Sequence, residues 1–520
     1  MRSKKIRIAA IGSFLSVLAV VMAVRKDSFS PPQSLAPVHH QNSAAKTAKL
    51  ASPSVAQTDR LSSPPSGGVL WKYTNKPASA ARVESLMATP SHDVHYAQID
   101  NALLSSDHSP LTQPGAHVDV ALPDGRVVPV VIQKTKSLGA DRYVSEGSVE
   151  GESQTQGRAV FAYTHGEMSA VIDDAKQGTW QMRSVGTSTS QVFHVDGTMV
   201  PPCEADLKKT AIAKVVSAAA VKVQAASVAG APAVVAGDEW SDGSTEVSDP
   251  QPDVASNGWG NTEVRILVPY SKVIESVLST WSIQSYIDLA IGALNNDLAR
   301  SAIPVTVTLA GAPGIQYDQE WDGSGNPALA ALQRVTDSTD GIMDEIHVIR
   351  TDANADLVCF AMCRTDWSNS GVGYILNAPG DPFNATLGFS VVNFWYMNSN
   401  STFSHEIGHN LGCNHDHENA YAADGSGAAY VYPYSYGYRF YGNDGQQYRT
   451  IMAYPPGNVL PYFSNPSLWA WSPISAPVGA QLGQWDQAYN ALTITQNAAE
   501  VASYRYSRLT LRIARRIRGW

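Results

Sequence analysis

Ser401-Thr402-Phe403-Ser404-His405-Glu406-Ile407-Gly408-His409-Asn410-Leu411-Gly412-Cys413-Asn414-His415-Asp416 is the segment that organises the chain. On a helix, residues four apart differ by about 40° in azimuth and about 6 Å in rise, so two imidazoles at that spacing can converge on one ion. His405 and His409 have it. Glu406 projects to the adjoining side, where it reaches a water without taking a coordination position. Gly412 can adopt a positive φ and end the helix abruptly, and the turn brings His415 back as a third nitrogen. Three neutral histidines leave the fourth tetrahedral position for water, the pattern of a catalytic zinc ion and not a structural one. The five-residue HExxH core alone is weak evidence. Gly412, His415 and Asp416 make the motif specific.

With those residues in place, His405-Glu406-x-x-His409-x-x-Gly412-x-x-His415-Asp416 resembles the metzincin zinc peptidases. The Asp after the third His is the version found in the reprolysin (adamalysin-type) group, and the resemblance looks closest to its bacterial, secreted members. It extends over roughly residues 261–506, including Asp340-Gly341-Ile342-Met343-Asp344-Glu345 and Pro461-Tyr462-Phe463-Ser464-Asn465-Pro466. It implies an α/β (α+β) catalytic domain with a mixed, largely parallel sheet and an active-site helix. By the same resemblance His405, His409 and His415 hold one Zn2+, Glu406 is the general base of metal-assisted hydrolysis, and Met452 in Arg449-Thr450-Ile451-Met452-Ala453-Tyr454 forms the methionine turn. Substrate then lies extended along an edge strand, for which Gly371-Val372-Gly373-Tyr374-Ile375-Leu376 is the candidate. Asp416 is expected to fix the local turn.

Two residues depart from the plain reprolysin pattern. Tyr454 stands two residues after Met452, the spacing at which astacin-like and serralysin-like metzincins place a tyrosine near the metal; it is a candidate for oxyanion stabilisation or a fifth ligand. Cys413 lies between the second and third ligands. It either pairs with Cys359 or Cys363 or is a buried free thiol.

Outside the motif, the N-terminal third reads as mainly β. Val118–Leu122 and Arg126–Ile132 flank Asp124-Gly125 as a hairpin; Arg158–Tyr163 and Met168–Ile172 flank His165-Gly166; Gly178–Met182 and Gln191–Val195 add further strands. Metzincins are often made with an inhibitory prosegment, some using a cysteine thiolate to fill the open zinc position. Cys203, at the end of this β-rich region, is the candidate for such a switch, against the plainer reading of a buried thiol. After Asn261 the pattern alternates. Val264–Val268 and Val305–Leu309 read as strands, Ile283–Leu298 and Ala328–Thr336 as helices, and Ile346–Ile349 as a strand carrying a core histidine, His347.

The flanks read as export and connection. Arg2, Lys4, Lys5 and Arg7 precede an apolar run, Ile8 to Val24, ending at a compact Val21-Met22-Ala23: a signal peptide over 1–24, favoured over a retained anchor. Residues 25–66 read as a disordered lead-in, 67–204 as a β-rich prodomain, and 205–260 as a linker or processing region containing Lys208-Lys209. Residues 261–506 are the catalytic domain. Residues 507–520 are a basic tail (Arg508, Arg512, Arg515, Arg516, Arg518), read as a solvated extension before an anionic-surface contact.

The 520 residues are 44% hydrophobic and 16% charged, with a net charge of −9 and four cysteines. That supports packed cores, gives no electrostatic reason to expect nucleic acid, and is too few cysteines for a disulfide scaffold. The expected partners are protein or peptide substrates, with the mature form monomeric, secreted and not inserted in a membrane. No motif supports calcium. Two readings compete: a peptidase of astacin-like or serralysin-like subtype, suggested by Tyr454, and a secreted binding or adhesion protein on a metzincin scaffold, against which Glu406 argues, because binding alone needs no base beside the metal.

Overall fold

The computed structural model describes residues 70–203 and 261–504, apart from 78–79, 85–87, 106–108, 152–156, 175–177, 187, 318–325, 364–368, 377, 382, 421–430 and 471. The expected signal peptide, lead-in, linker and basic tail lie outside the described residues.

The N-terminal part is one antiparallel sheet. Its strands are β1 (Trp71–Thr74), β2 (Val94–Ile99), β3 (His117–Ala121), β4 (Val127–Gly139), β5 (Arg142–Val149), β6 (Arg158–Thr164), β7 (Glu167–Asp174), β8 (Gly178–Gly186) and β9 (Thr189–His194), in the order β1-β2-β9-β8-β7-β6-β5-β4-β3. Tight turns at Asp124-Gly125 and His165-Gly166 set the hairpins, with Gly125 and Gly166 at positive φ. Outer strands such as β3 alternate exposed and buried side chains, whereas β6 is buried along its whole length. Both of its faces are covered. One packs Phe161, Tyr163, Ala170 and Met182 into a core private to the sheet. The other sends Val144, Val160, Ala162 and Val171 into the core of the C-terminal part.

That C-terminal part is a mixed α/β layer. Strands β10 (Thr262–Leu267), β12 (Val305–Gly311), β14 (Leu357–Met362) and β16 (Phe389–Asn393) pair in parallel, in the order β12-β10-β14-β16. β15 (Gly371–Gly373) runs antiparallel to β16 at the edge. β11 (Tyr270–Ser271) and β13 (Gly314–Ile315) continue the ends of β10 and β12. Parallel strands need crossover helices. The first, α1 (Thr280–Arg300), is capped by Ser279 accepting from Ser282 N–H. The second, α2 (Pro327–Thr336), starts on an Asn326 cap with proline at its first turn.

One element differs from expectation. Ile346–Ile349 is not a strand but part of helix α3 (Glu345–Asp352), and the strand follows at β14. Ile346 is buried and Val348 is 59% exposed. The apolar residues Ile346 and Ile349 thus sit three apart on one helical face, a spacing that a four-residue window cannot tell from a strand. His347 is half-buried on this helix, with its ring centroid 5.3 Å from that of Phe389, not in a core strand. Helices α4 (Thr402–Asn410) and α5 (Asn490–Ala502) complete the layer. All four cysteines are buried and free, which settles the open pairing of Cys413 in favour of a free thiol.

Candidate metal centre

Helix α4 is buried at every position. It lies behind the edge strand β15, close enough that side chains on the strand would interfere: a Cβ on Gly371 would stand 2.5 Å from Glu406 Oε1, and one on Gly373 3.0 Å from the Glu406 carbonyl oxygen. The helix stops where expected. Gly412 has φ +95°, and the Cys413 N–H returns to the Gly408 carbonyl at 2.9 Å. Asn414–Asp416 then pairs with Tyr436–Gly437 and delivers His415.

The three imidazoles converge. Ring centroids are 4.8 Å apart for His405 and His409, 5.2 Å for His405 and His415, and 4.7 Å for His409 and His415. His405 Nδ1 donates to the Ile451 carbonyl at 2.8 Å, and His409 Nδ1 to the Cys413 carbonyl at 2.9 Å. A carbonyl only accepts, so the proton of each ring sits on Nδ1 and Nε2 keeps its lone pair. His405 Nε2 and His415 Nε2 are buried with no hydrogen-bond partner, as are both Glu406 oxygens. Burial holds His405 and His415 well below the usual histidine range, helped by repulsion among the three rings, and brings His409 down to about 4. All three are therefore neutral at pH 7, as metal ligation requires. Burial pushes the Glu406 carboxyl up to about 8, with the neighbouring Cys203 thiol acting in the opposite direction.

Cys203 completes the cluster. Its Sγ and one nitrogen from each histidine lie within 4.8 Å of one another. Buried lone pairs left without a proton donor are costly, and the donor set of three neutral imidazoles and a thiol is one that zinc takes. The residues fit that ion.

The surrounding residues explain the rigidity. Met452 is fully buried beneath the helix, where a Cβ on Gly408 would come within 2.5 Å of its Sδ. Asp416 accepts from Tyr454 N–H at 2.9 Å and pairs with Arg439 at 3.0 Å, consistent with the turn-fixing part expected of it. The Tyr454 ring lies over His415, with centroids 4.1 Å apart, and its hydroxyl donates to the Cys203 carbonyl at 2.6 Å. Sequence reasoning missed Arg449, whose guanidinium grips the Ala453 and Gly457 carbonyls at 2.7 and 3.0 Å and shapes the loop that presents Tyr454. It also missed Ser404 and Asp297, bonded at 2.7 Å just ahead of His405. No local pattern marks either; both contacts join residues distant in role or in sequence.

Comparisons with known proteins agree with this centre. Residues 262–464 match Reprolysin_5, described as metallo-peptidase family M12. A peptidyl-Asp metalloendopeptidase from Stenotrophomonas maltophilia (strain R551-3) is 29% identical over 256 residues, 48% of this chain and 54% of that protein. Its counterpart from strain K279a is 30% identical over 254 residues, with the same coverage. One from Xanthomonas campestris pv. campestris is 28% identical over 43% of this chain and 48% of its own. The chain thus spans about half the length of the curated relatives it matches. With the motif, the convergent imidazoles and the family match together, residues 262–464 form a reprolysin-like metzincin domain of metallopeptidase family M12.

Proposed function

We propose that this chain is an exported zinc endopeptidase made as an inactive precursor. The observation that carries the reading is the meeting of His405, His409 and His415 on one point, with the buried Glu406 carboxylate next to His405 on the same helix. A zinc ion held by those three imidazoles would polarise the scissile carbonyl and acidify water. Glu406 takes the proton from the attacking water and passes it to the leaving amine.

Substrate backbone would pair with β15, whose outer edge is not taken up by another described strand. The segment before Cys203 supports that placement, since the Pro202 carbonyl accepts from Ser370 N–H at 3.0 Å just ahead of β15. The same segment supports the precursor reading. Cys203 Sγ, 3.8 Å from His409 Nε2, would take the position that water needs, and the Cys203 carbonyl accepts from the Tyr454 hydroxyl. In the mature enzyme that hydroxyl is free to steady the developing oxyanion. The names of the relatives extend the proposal to cleavage directed by aspartate in the substrate, and the basic, apolar N-terminus extends it to export.

A casein assay on processed protein, with and without chelator, tests the reading. Chelator-sensitive hydrolysis restored by zinc is expected. Zinc binding without any hydrolysis would turn the assignment to a binding protein on the same scaffold.

A further inference from the structure

The N-terminal sheet meets the metallopeptidase domain across helix α1, and the contact combines polar pairs with a shared apolar core. Arg142 forms a bidentate pair with Asp288 at 2.7 and 2.6 Å, and Thr164 adds a bond to the same carboxylate at 3.2 Å. Arg158 bridges Asp173 of its own sheet to Asp297 of the helix. Ser169 meets Ser285 at 3.0 Å, Ser184 meets Ser282 at 3.1 Å, and Gln181 donates to the Tyr286 hydroxyl at 2.6 Å. Between these bonds runs the apolar stripe of Val144, Val160, Ala162 and Val171. Its closeness is set by Gly292, where a Cβ would come within 2.6 Å of Val144 Cγ1.

Asp288 and Asp297 are completely buried in this arrangement. Each is paired with an arginine of the sheet, Asp288 with Arg142 and Asp297 with Arg158. Losing one partner of a buried pair leaves the other charged and desolvated, which is why such contacts mainly slow dissociation. All of these contacts join described residues on either side of 204–260.

We infer that the sheet of residues 70–203 is a docking partner of helix α1 in its own right: cutting the chain between 204 and 260 leaves it bound as a non-covalent inhibitory subunit, and Arg142–Asp288 and Arg158–Asp297 set how long it stays. The second pair also reaches the metal helix. The other Asp297 oxygen accepts from Ser404, the residue before His405, so the docked arginine and the ligand helix share one carboxylate. Activation therefore takes two events, a cut and a release. The inference rests on the precursor reading above.

The test uses the full chain with a site-specific protease sequence placed within 205–260. After complete nicking of the parent, the two fragments should co-elute in gel filtration at micromolar concentration and casein hydrolysis should stay at the precursor level. Arg142→Gln, which keeps a polar group at a side chain that is a quarter exposed, should release the sheet faster, with a melting curve taken before nicking to show that the variant is folded. The double Arg142→Gln, Arg158→Gln chain should release it roughly 100-fold faster, with hydrolysis rising in step. Fragments of the parent that elute apart on nicking would overturn the inference, as would an Arg142→Gln chain that releases no faster than the parent. The precursor reading fails separately, if the nicked parent co-elutes yet hydrolyses casein as fast as the released form.

Discussion

Cys203 Sγ lies 3.8 Å from His409 Nε2, although 206 positions separate the two residues. A turn at Gly197–Met199 and a small apolar cluster of Phe193, Val195, Val200 and Tyr396 carry the chain from β9 to that point. The thiol is thus placed by the packing of the segment that leads to it.

Replacing Cys203 with Ser should raise the basal activity of the uncut precursor, short of the level reached once the sheet is released. Losses in the outer shell of a metal site already cost about 10–100-fold in metal affinity, so loss of a direct sulfur contact should raise kcat/KM on a short peptide by at least roughly 10-fold. A Cys203→Ser chain as inactive as its parent would remove the switch.

Glu406→Gln should keep zinc and lose turnover. The amide is the same shape but accepts no proton at neutral pH, and general-base removal costs about 10²–10⁴ in rate. Zinc stoichiometry by mass spectrometry, alongside kcat, separates this from collapse of the site.

Gly371→Ala tests the close approach of the edge strand. The added methyl would stand 2.5 Å from Glu406 Oε1, and the flexible carboxylate yields before the backbone does. Displacements near 1 Å at a reacting group cost about 10²-fold, so kcat should fall by that order while Tm moves little. Equal kcat in both proteins would place Glu406 outside the reaction.

Tyr454→Phe removes the hydroxyl that now donates to the Cys203 carbonyl. Processed protein should lose roughly 10²-fold in kcat, the scale of one oxyanion donor, with KM little changed. An unaltered kcat leaves Tyr454 a packing residue over His415.

Removing the metal should lower Tm. An ion that binds only the folded protein stabilises it by about 2.7 kcal/mol at one hundred times its Kd. Zinc, added back after chelation, should restore the original Tm; a melting curve indifferent to chelator would contradict the three-histidine centre.

The ligand set was legible in the sequence because its geometry is local. His405 and His409 are brought together by helical periodicity, and Gly412 turns the chain within three residues to return His415, so no distant element is needed to assemble them. The hairpins at Asp124-Gly125 and His165-Gly166 were legible for the same reason: turn chemistry and alternation act over a few residues. The segment Ile346–Ile349 was misread because four apolar-rich residues carry too little periodicity, and the choice between helix and strand there falls to packing, with Ile346 inside and Val348 outside. Tertiary structure alone decided the rest. That Cys203 reaches the histidines, that Cys413 stays a free thiol, that Tyr454 packs against His415, and that Arg158 finds Asp297 all depend on contacts between segments far apart in the chain. Sequence supplies the groups for such contacts, but it does not say which will be close once two sheets and a buried helix have excluded water between them.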